Sequence, residues 1–426
     1  MEVFILIGSL FLFLIIKLPI AFALGLSATL TALYLGIPTM VIAQKMVEGV
    51  KSFSLMAIPF FILAGEIMGQ GGISRRLIDF SNVIVGRVRG GLAMVNILSS
   101  MFFGGISGSS VADTSSIGTI MIPMMEKQGY DKDYAVNVTI TSSTQGVIIP
   151  PSHNMIIYSV AAGGVSIGKL FLGGIVPGVL LGISLMALSY FLAVKRDYPK
   201  GEKIGLKKSL EIVKDSFLGL MTAVIIMGGV IFGIFTATES AAVAAIYAFI
   251  ITYFVYREVS IVEFKKVLIN TLKTLSMVMA VIATSSAFAY MMAYLKVPQA
   301  ITNTLIGITD NKIAILLLVN LILLMLGMIM DMAPLILIAT PILLPVVTRV
   351  GVDPIQFGII MMLNLGIGLI TPPVGSTLFV GCSIAGISIE KIAKSLKPFY
   401  CMLFIYLVCL TFIPALTLWL PNFLMK

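Results

Sequence analysis

The chain has 426 residues, of which 59% are hydrophobic and 11% are charged. A soluble domain needs far more polar surface, so this composition excludes a soluble enzyme or binding module and indicates a polytopic membrane protein. The net charge of +9 is compatible with nucleic-acid binding. However, the basic residues lie between apolar runs, where they mark one side of a membrane, so we expect no nucleic-acid partner.

Apolar runs of spanning length recur along the chain. The sequence predicts about ten spans, at 2–16, 18–36, 54–69, 134–162, 171–194, 217–235, 240–256, 275–295, 355–385 and 399–420. Two further runs, 91–125 and 313–348, are interrupted near their middles, which predicts re-entrant hairpins. Amphipathic stretches too polar to span are predicted to lie at the membrane interfaces, at 38–50, 72–86, 259–273 and 298–310.

One hydrophobic module occurs twice, and its two copies align without a gap. Pro150-Pro151 recurs as Pro372-Pro373, an offset of 372 − 150 = 222 residues. The same offset pairs further residues: Gly105 with Gly327, Pro123 with Pro345, Gly129 with Gly351, Asp131 with Asp353, and Gly146 with Gly368. A repeat with helices broken at matching places is typical of secondary transporters, whose solute and ions bind at the breaks.

The basic residues also predict the orientation. With the N-terminus outside, 21 of the 28 Lys and Arg residues fall on the inner side, as the positive-inside rule requires. Each half then crosses five times, so the second half is inverted relative to the first. We therefore predict a first inverted repeat at 1–194, a cytoplasmic connection at 195–216 and a second inverted repeat at 217–426. Both termini would lie outside.

Small and hydroxyl residues cluster at the tip of hairpin one, Gly104–Asp113, and two prolines interrupt the next span at 147–154. Irregular backbone at membrane depth is tolerated where it lines a cavity, and its freed carbonyls can coordinate a hard cation. The first predicted cation site uses neutral oxygens, from Ser107, Ser109, Gly146, Ile149 and Pro151. The alternative is a close-packed crossing of small residues that binds no ion.

The repeat generates a second predicted cation site at the other tip and break, from Ile329, Asp331, Gly368, Thr371 and Pro373. A charged side chain at the membrane centre costs about 2.5–3.5 kcal/mol on insertion scales. Asp331 is flanked by apolar residues, so we predict that its carboxylate is functional and serves as an ion ligand.

Three other carboxylates lie at or near membrane depth. Asp113 is predicted either to contact solute or ion or to cap the returning helix. Glu239 is predicted to lie in a short external turn, and Glu66 is predicted to be structural. Further candidates for solute contact are polar residues at the tips and breaks: Ser110, His153, Asn154, Ser376 and Thr377.

Enzyme chemistry is not expected. The one Ser/His pair, Ser152 and His153, consists of adjacent residues without an orienting acid, so a hydrolase is disfavoured. A nucleotide-binding motif is also missing from the sequence, which argues against ATP as the energy source. Paired inverted tips argue against a channel, because a channel needs a continuous pore.

The motifs at the breaks resemble those of the large membrane subunit of tripartite ATP-independent periplasmic (TRAP) transporters. In the first half the likeness is carried by Ile149–Ser152, Ser166–Phe171 and Gly174–Gly178. The tip Gly105–Ser109 and the second break Thr371–Gly375 fit the same family. The likeness covers essentially the whole chain.

This resemblance implies an elevator-type ion-transporter fold in the bacterial inner membrane, where the termini that the charges place outside would be periplasmic. It implies coupling to Na+, with two or more ions expected, and a separate small four-helix membrane subunit. It further implies a periplasmic solute-binding protein that delivers an organic acid: sialic acid, a C4-dicarboxylate or a similar sugar acid. The alternative is a stand-alone divalent-anion/sodium symporter of the same broad group.

Overall fold

The computed structural model describes residues 1–201, 203–308 and 311–425. These residues form helices and connections, and the one β-type pairing among them is an isolated bridge between Arg89 and Lys200. The predicted all-α class is therefore confirmed. Three predicted segments extend beyond the described residues, at Glu202 in the connection, at 309–310 in the last interfacial stretch, and at Lys426 in the second repeat.

The first half contains hairpin one, the first broken span and the helices before and after them. Its helices are α1 (Glu2–Ile15), α2 (Ile20–Tyr34), α3 (Thr39–Val50), α4 (Ala57–Gln70), α5 (Ile73–Val85), α6 (Gly91–Ser107), α7 (Ser110–Lys127), α8 (Lys132–Ser143), α9 (His153–Ala161) and α10 (Ile167–Lys195). Hairpin one is α6 and α7. The first broken span is α8, a 3₁₀ turn at Thr144–Val147, and α9.

The second half has the same order. Its helices are α11 (Leu206–Ile231), α12 (Ala237–Ile250), α13 (Phe264–Tyr294), α14 (Val297–Ile308), α15 (Lys312–Gly327), α16 (Met332–Arg349), α17 (Pro354–Leu369), α18 (Ser376–Ala385), α19 (Ile389–Ser395), α20 (Lys397–Phe412) and α21 (Ala415–Leu424). Hairpin two is α15 and α16, and the second broken span is α17 and α18.

Helix ends repeat at the 222-residue offset. The offset carries α7 onto α16 without a difference at either end, and it carries α8 with its 3₁₀ turn onto α17. The two broken spans and the returning arms of the two hairpins are thus equivalent elements. The opposite orientation of the two halves in the membrane stays a prediction.

One predicted helix boundary is wrong. Residues 259–273 were expected to lie at the interface, apart from the span 275–295, but Phe264–Tyr294 is one continuous helix of 31 residues. This stretch contains neither glycine nor proline, so nothing interrupts the hydrogen-bond ladder between its polar beginning and its apolar end. In the first half, the equivalent helices α3 and α4 are separate.

Two further boundaries differ from the prediction. The run 399–420 is not one straight span, because α20 and α21 meet at Pro414 with a bend of 52°. Proline lacks the N–H that would continue the ladder. The predicted connection 195–216 is also partly helical, since α11 already begins at Leu206.

By length and apolar composition, five helices of the described residues could cross a membrane alone, or seven if each of two bent pairs counts as one span. Several shorter apolar helices, including α1, α2, α6, α15 and α17, add to these. The chain therefore has the apolar helices of a multi-pass membrane protein, and the count of ten crossings stays a prediction.

The helices pack as an inner group and an outer group. In the inner group each hairpin packs on its own broken span, and the halves interlock because α7 packs on α18 and α16 packs on α9. In the outer group α2 and α3 pack on α13, and α4 packs on α12. Residues of α1, α2 and α13 form an apolar cluster separate from the main core, around Leu6, Leu24 and Phe288.

Polar contacts fix the ends of the helices on the predicted cytoplasmic side. Arg196, after α10, lies 2.9 Å from Asp131 and 3.3 Å from Asp133. The Tyr198 hydroxyl donates to Asp131 at 2.7 Å, and together with Arg196 it holds the pKa of that carboxyl below its usual range. The start of α8 is thereby tied to the end of α10.

Arg76 ties α5 to the second half. Its Nε lies 2.8 Å from Asp215 on α11, and its Nη2 lies 2.7 Å from Glu258. Its guanidinium also stacks 3.7 Å from the centre of the Tyr256 ring. The planar guanidinium of arginine makes all three contacts at once, whereas the ammonium group of a lysine cannot.

We expect Arg76→Lys to destabilise the protein by about 1–2 kcal/mol, since lysine keeps the charge but loses the stacking and one of the two ion pairs. The thermal midpoint of the purified protein in detergent would fall by a few degrees. Arg75→Lys is the matched control, because Arg75 is exposed on the same turn. Equal midpoints for the two variants would contradict a bracing role for Arg76.

Candidate functional site

Tip one is shorter than the predicted Gly104–Asp113. Helix α6 runs to Ser107, Gly108 turns the chain with φ 62°, and Ser109 caps α7 by accepting from the Ala112 N–H at 3.3 Å. A left-handed residue that ends a helix is usually glycine, because it has no Cβ to clash. The backbone freed at this tip is therefore confined to the turn.

Tip one lies directly on the first break. A Cβ atom at Gly104 would lie 2.4 Å from the Cα of Gly146, and one at Gly105 would lie 3.1 Å from the carbonyl oxygen of Pro150. The Asn154 amide donates to the carbonyl of Gly108 at 3.3 Å. The structure thus brings together the two segments that carry the first predicted cation site, including Ser107, Ser109, Gly146, Ile149 and Pro151.

Tip two lies on the second break in the same way. A Cβ atom at Gly368 would lie 2.6 Å from the carbonyl carbon of Gly327, and the Val374 N–H donates to Met328 at 3.2 Å. The segments that carry the second predicted site are therefore also in contact. The chain makes a tight turn at this site, because the Thr371 N–H donates to the Gly368 carbonyl at 2.9 Å. Both Pro-Pro bonds, in the first and the second break, are cis.

The residue before α16 differs in chemistry from its counterpart before α7. Asp331 occupies the same N-cap position as Ser109, but its side chain makes no capping hydrogen bond and is exposed. The neighbouring Ile329 is 51% exposed, and its side chain is hydrocarbon, so only its backbone could serve an ion. Tip two thus presents a carboxylate, from Asp331, where tip one has the hydroxyl of Ser109.

The two halves meet through reciprocal contacts. The Thr377 hydroxyl, after the second break, lies 3.0 Å from the Ser110 hydroxyl at the start of α7. The Asn154 amide, after the first break, lies 3.9 Å from the sulfur of Met332 at the start of α16. Each returning hairpin arm therefore contacts the post-break helix of the other half.

A cavity of about 760 Å³ opens where these elements meet. Its inner wall carries polar residues of both tips and both breaks: Ser107, Ser109, Ser110, His153, Asn154, Asp331 and Ser376. Its outer wall comes from α4 and α13, with Ile62, Glu66, Gln70, Thr274 and Met277. A concave site with convergent polar groups is the usual form of a small-molecule site.

Two predicted solute contacts are not at the cavity. Asp113 is fully buried beside Ser100 and Ser143, because it lies one turn into α7 and faces α8 rather than the tip. Thr377 is fully buried as well, behind Ser110. Neither lines the cavity, so direct solute contact by these two side chains is not supported.

Sequence reasoning missed Glu66, which was expected to be structural but lines the cavity. It stands on α4 between Gly65 and Gly69. A Cβ atom at Gly65 would lie 3.5 Å from the Cα of Ser107, and one at Gly69 would lie 3.4 Å from Ser116. Two glycines four residues apart indicate a close contact between helices. This pattern in the sequence could have indicated that α4, and with it Glu66, lies against hairpin one.

Glu239 was expected in a short external turn, and it lies in the first turn of α12. It completes a capping box there, since its carboxylate accepts from the Thr236 N–H at 2.8 Å. Its role is local, because such a box satisfies two of the free N–H groups at the start of a helix.

Comparison with known proteins gives one family. Residues 7–416 match the model described as "Tripartite ATP-independent periplasmic transporter, DctM component". The chain is 41% identical to the C4-dicarboxylate TRAP transporter large permease protein DctM of Pseudomonas aeruginosa, over 94% of each chain. It is 36% identical to the sialic acid TRAP transporter large permease protein SiaM of Vibrio cholerae, over 89% of each.

Two further similarities concern length and fold. The chain is 43% identical to the isethionate TRAP transporter permease protein DctMQ of Oleidesulfovibrio alaskensis, over 97% of this chain and 65% of that one. Among solved structures, the YdaH transporter of Alcanivorax borkumensis is similar with a TM-score of 0.62 at 12% identity, covering 86% of each chain. At this identity the likeness concerns the fold alone.

The backbone contact between tip and break should not tolerate a methyl group. We expect Gly368→Ala to destabilise the protein by about 1–3 kcal/mol through overpacking, although alanine is the better helix former. Gly205→Ala is the control, because nothing lies within 4 Å of the Cβ position there and its φ is −64°. Thermal midpoints in detergent would measure the difference, and an unchanged midpoint for Gly368→Ala would show that this contact is looser than described.

Proposed function

This chain belongs to the DctM component family of tripartite ATP-independent periplasmic transporters, and from this premise we propose that it is the large permease subunit of a sodium-coupled carrier. It takes an organic acid across the bacterial inner membrane after a periplasmic binding protein has delivered it. The observation that carries this function is the meeting of two tip–break pairs at one cavity. Paired broken helices facing a central site are the arrangement by which secondary transporters bind solute and ions together.

Electrostatics supports cation coupling. An anion that enters a cell negative inside moves against the potential, by about 2.3 kcal/mol per charge per 100 mV. Sodium ions bound at the tips would cancel this charge and add their own gradient. Serine hydroxyls, backbone carbonyls and the Asp331 carboxylate are the oxygen ligands that such ions use in broken helices.

The packing supports transport by movement of the inner group. Both hairpins and both broken spans interlock through the Thr377–Ser110 and Asn154–Met332 contacts, so they would move as one body. Helices α2, α4, α12 and α13, with the interfacial helices, would remain as the fixed frame. Such an elevator would carry the inner wall of the cavity, with the solute and ions bound on it, from one side of the membrane to the other.

The partners follow from the family. A small membrane subunit of four helices would complete the permease, with both termini of the large subunit in the periplasm. The DctMQ relative extends well beyond the stretch matched here, which leaves room for a fused small subunit in that protein. A stand-alone divalent-anion/sodium symporter is the competing function, and the requirement for partners separates the two.

Sodium dependence should rest on Asp331. We expect Asp331→Ala to abolish uptake and Asp331→Asn to raise the sodium concentration for half-maximal uptake about tenfold or more, since one tenfold change corresponds to about 1.4 kcal/mol of ion binding. Asp353→Asn is the control, because Asp353 is an exposed N-cap that uses one oxygen for capping, and asparagine retains that oxygen. A wild-type sodium curve for Asp331→Asn would remove Asp331 from the ion site.

Uptake should require the whole tripartite system. We expect proteoliposomes with this chain alone to take up no organic acid under an inward sodium gradient. Adding the small subunit and the solute-loaded binding protein should restore uptake. The control is the complete system without the sodium gradient. Saturable sodium-driven uptake by this chain alone would instead establish the stand-alone symporter.

A further inference from the structure

One carboxylate of the inner group is buried without a partner. Asp113, one turn into α7, is fully buried, and within the described part of the chain neither of its oxygen atoms has a hydrogen-bond partner. Among the same residues, no lysine, arginine or histidine pairs with it. Burying a charge is costly unless a counter-charge and hydrogen bonds compensate it. A positive charge is therefore missing at Asp113.

The side chains beside Asp113 are the hydroxyls of Ser100 on α6 and Ser143 on α8. The Ser143 hydroxyl donates to the Thr139 carbonyl at 2.8 Å and accepts from the Thr114 hydroxyl at 2.7 Å, so it has no proton left for the carboxylate. Only the proton of Ser100 remains, whereas an ionised carboxylate can accept about four hydrogen bonds. The cluster thus has more oxygen lone pairs than protons to fill them.

The second half shows that the fold does not need polar groups at these positions. The 222-residue offset carries Ser100, Asp113 and Ser143 onto Ile322, Leu335 and Leu365. All three counterparts are hydrocarbon side chains, and Leu335 and Leu365 are buried. Apolar side chains therefore suffice for the packing of equivalent helices, which indicates that the polar cluster of the first half serves another purpose.

The chemistry of the cluster suits a sodium ion. Carboxylate and hydroxyl oxygens are the ligands that hard cations prefer, and one carboxylate matches one positive charge. A proton on Asp113 would add a single donor to the cluster. A sodium ion would contact the carboxylate and both hydroxyls together, so it satisfies more of the free lone pairs.

The cluster is separate from the tips. Asp113 lies four residues beyond Ser109, the N-cap of α7, which corresponds to about 6 Å along a helix. Ser109 lines the cavity, whereas Asp113 is buried behind it. The three side chains of the cluster come from α6, α7 and α8, which pack on one another. An ion here would connect both arms of hairpin one to the first broken span.

We propose that Asp113, with the hydroxyls of Ser100 and Ser143, forms a third sodium site behind tip one, an inference that rests on the proposed sodium coupling. The ion neutralises the buried carboxylate and links three helices of the inner group. It lies inside that group and moves with it. The carrier therefore binds three sodium ions, one at each tip and one at Asp113.

The test counts bound ions. Equilibrium binding of radioactive sodium is measured on the full chain purified with its small subunit, with choline replacing sodium at constant ionic strength and pH. We expect three ions per large subunit at saturation for the wild type. Asp113→Asn, which keeps the shape and removes the charge, should bind two, and so should Asp113→Leu, which introduces the residue type of the second half. Asp353→Asn is the control at an exposed N-cap and should keep three.

A hydroxyl variant tests the ligand set. We expect Ser143→Ala to raise the sodium concentration that half-fills the third site about tenfold, as for the loss of one contact to a charged group. Thr141→Val is the control, because it removes another buried hydroxyl from α8, one that donates to the Asn137 carbonyl within its own helix. Its sodium binding curve should match that of the wild type.

A combined variant tests whether the site is separate from tip one. Ser107→Ala with Ser109→Ala should weaken the ion at tip one and leave the other two in place. Adding Asp113→Asn should then remove one of those two and leave the weakened ion bound. If the weakened ion disappears instead, Asp113 serves tip one and the third site is wrong.

The ion count separates the inference from the proposed function. If the wild type binds no sodium, the proposed coupling fails and the inference fails with it. If the wild type binds one or two ions, or if Asp113→Asn binds as many as the wild type, sodium coupling stands and the third site is wrong. A proton would then supply the missing charge at Asp113. The wild-type count and the Ser143→Ala curve decide the matter should both Asp113 variants fail to fold.

Discussion

The architecture depends on one constraint: a helix that is interrupted inside a membrane must shield or use the backbone groups that it frees. Both halves satisfy this constraint by packing glycine against glycine. Gly104 contacts Gly146 in the first half, and Gly327 contacts Gly368 in the second. No side chain intervenes, so tip and break approach at backbone distance. Prolines stop each helix from simply continuing. Polar side chains of the tips and of the helices after the breaks consequently gather at one cavity, from which the proposed handling of ions and solute follows.

The two halves share this backbone and differ in their charges. Ser109 and Asp331 hold the same N-cap position, and Asp113 on α7 corresponds to Leu335 on α16. The first half therefore keeps a carboxylate buried among hydroxyls behind its tip, while the second half exposes one at its tip. A cation at tip two would meet a full charge, whereas one at tip one would meet dipoles. The two proposed ion sites would therefore differ in strength, although the repeat places them at equivalent positions.

What the sequence could predict follows from how local each feature is. Helix breaks depend on nearby prolines and glycines, so the repeat, both hairpins and both broken spans could be located by residue number. Two boundaries were predicted wrongly for a related reason. At 259–273 the polarity of the stretch suggested a separate helix, although no glycine or proline interrupts it. At Pro414 the length of the apolar run suggested one straight span, although a proline lies within it. Which side chain faces the cavity is a different matter. It depends on how each helix is rotated against distant neighbours. Asp113, a candidate for solute contact, is therefore buried away from the cavity, and Glu66, expected to be structural, lines it.

The glycine face of α4 has a mechanical consequence. Side chains on packed helices form ridges that fit the grooves of the neighbour, and moving one ridge past another meets a barrier at every turn. At Gly65 and Gly69 the ridge is missing where α4 touches hairpin one. If hairpin one moves along α4 as proposed, the free-energy profile for that displacement would be smooth, with few fixed stopping points. In a carrier whose inner group slides past its frame, this contact would not fix where the inner group stops. The solute and ions bound in the cavity would then determine its resting positions.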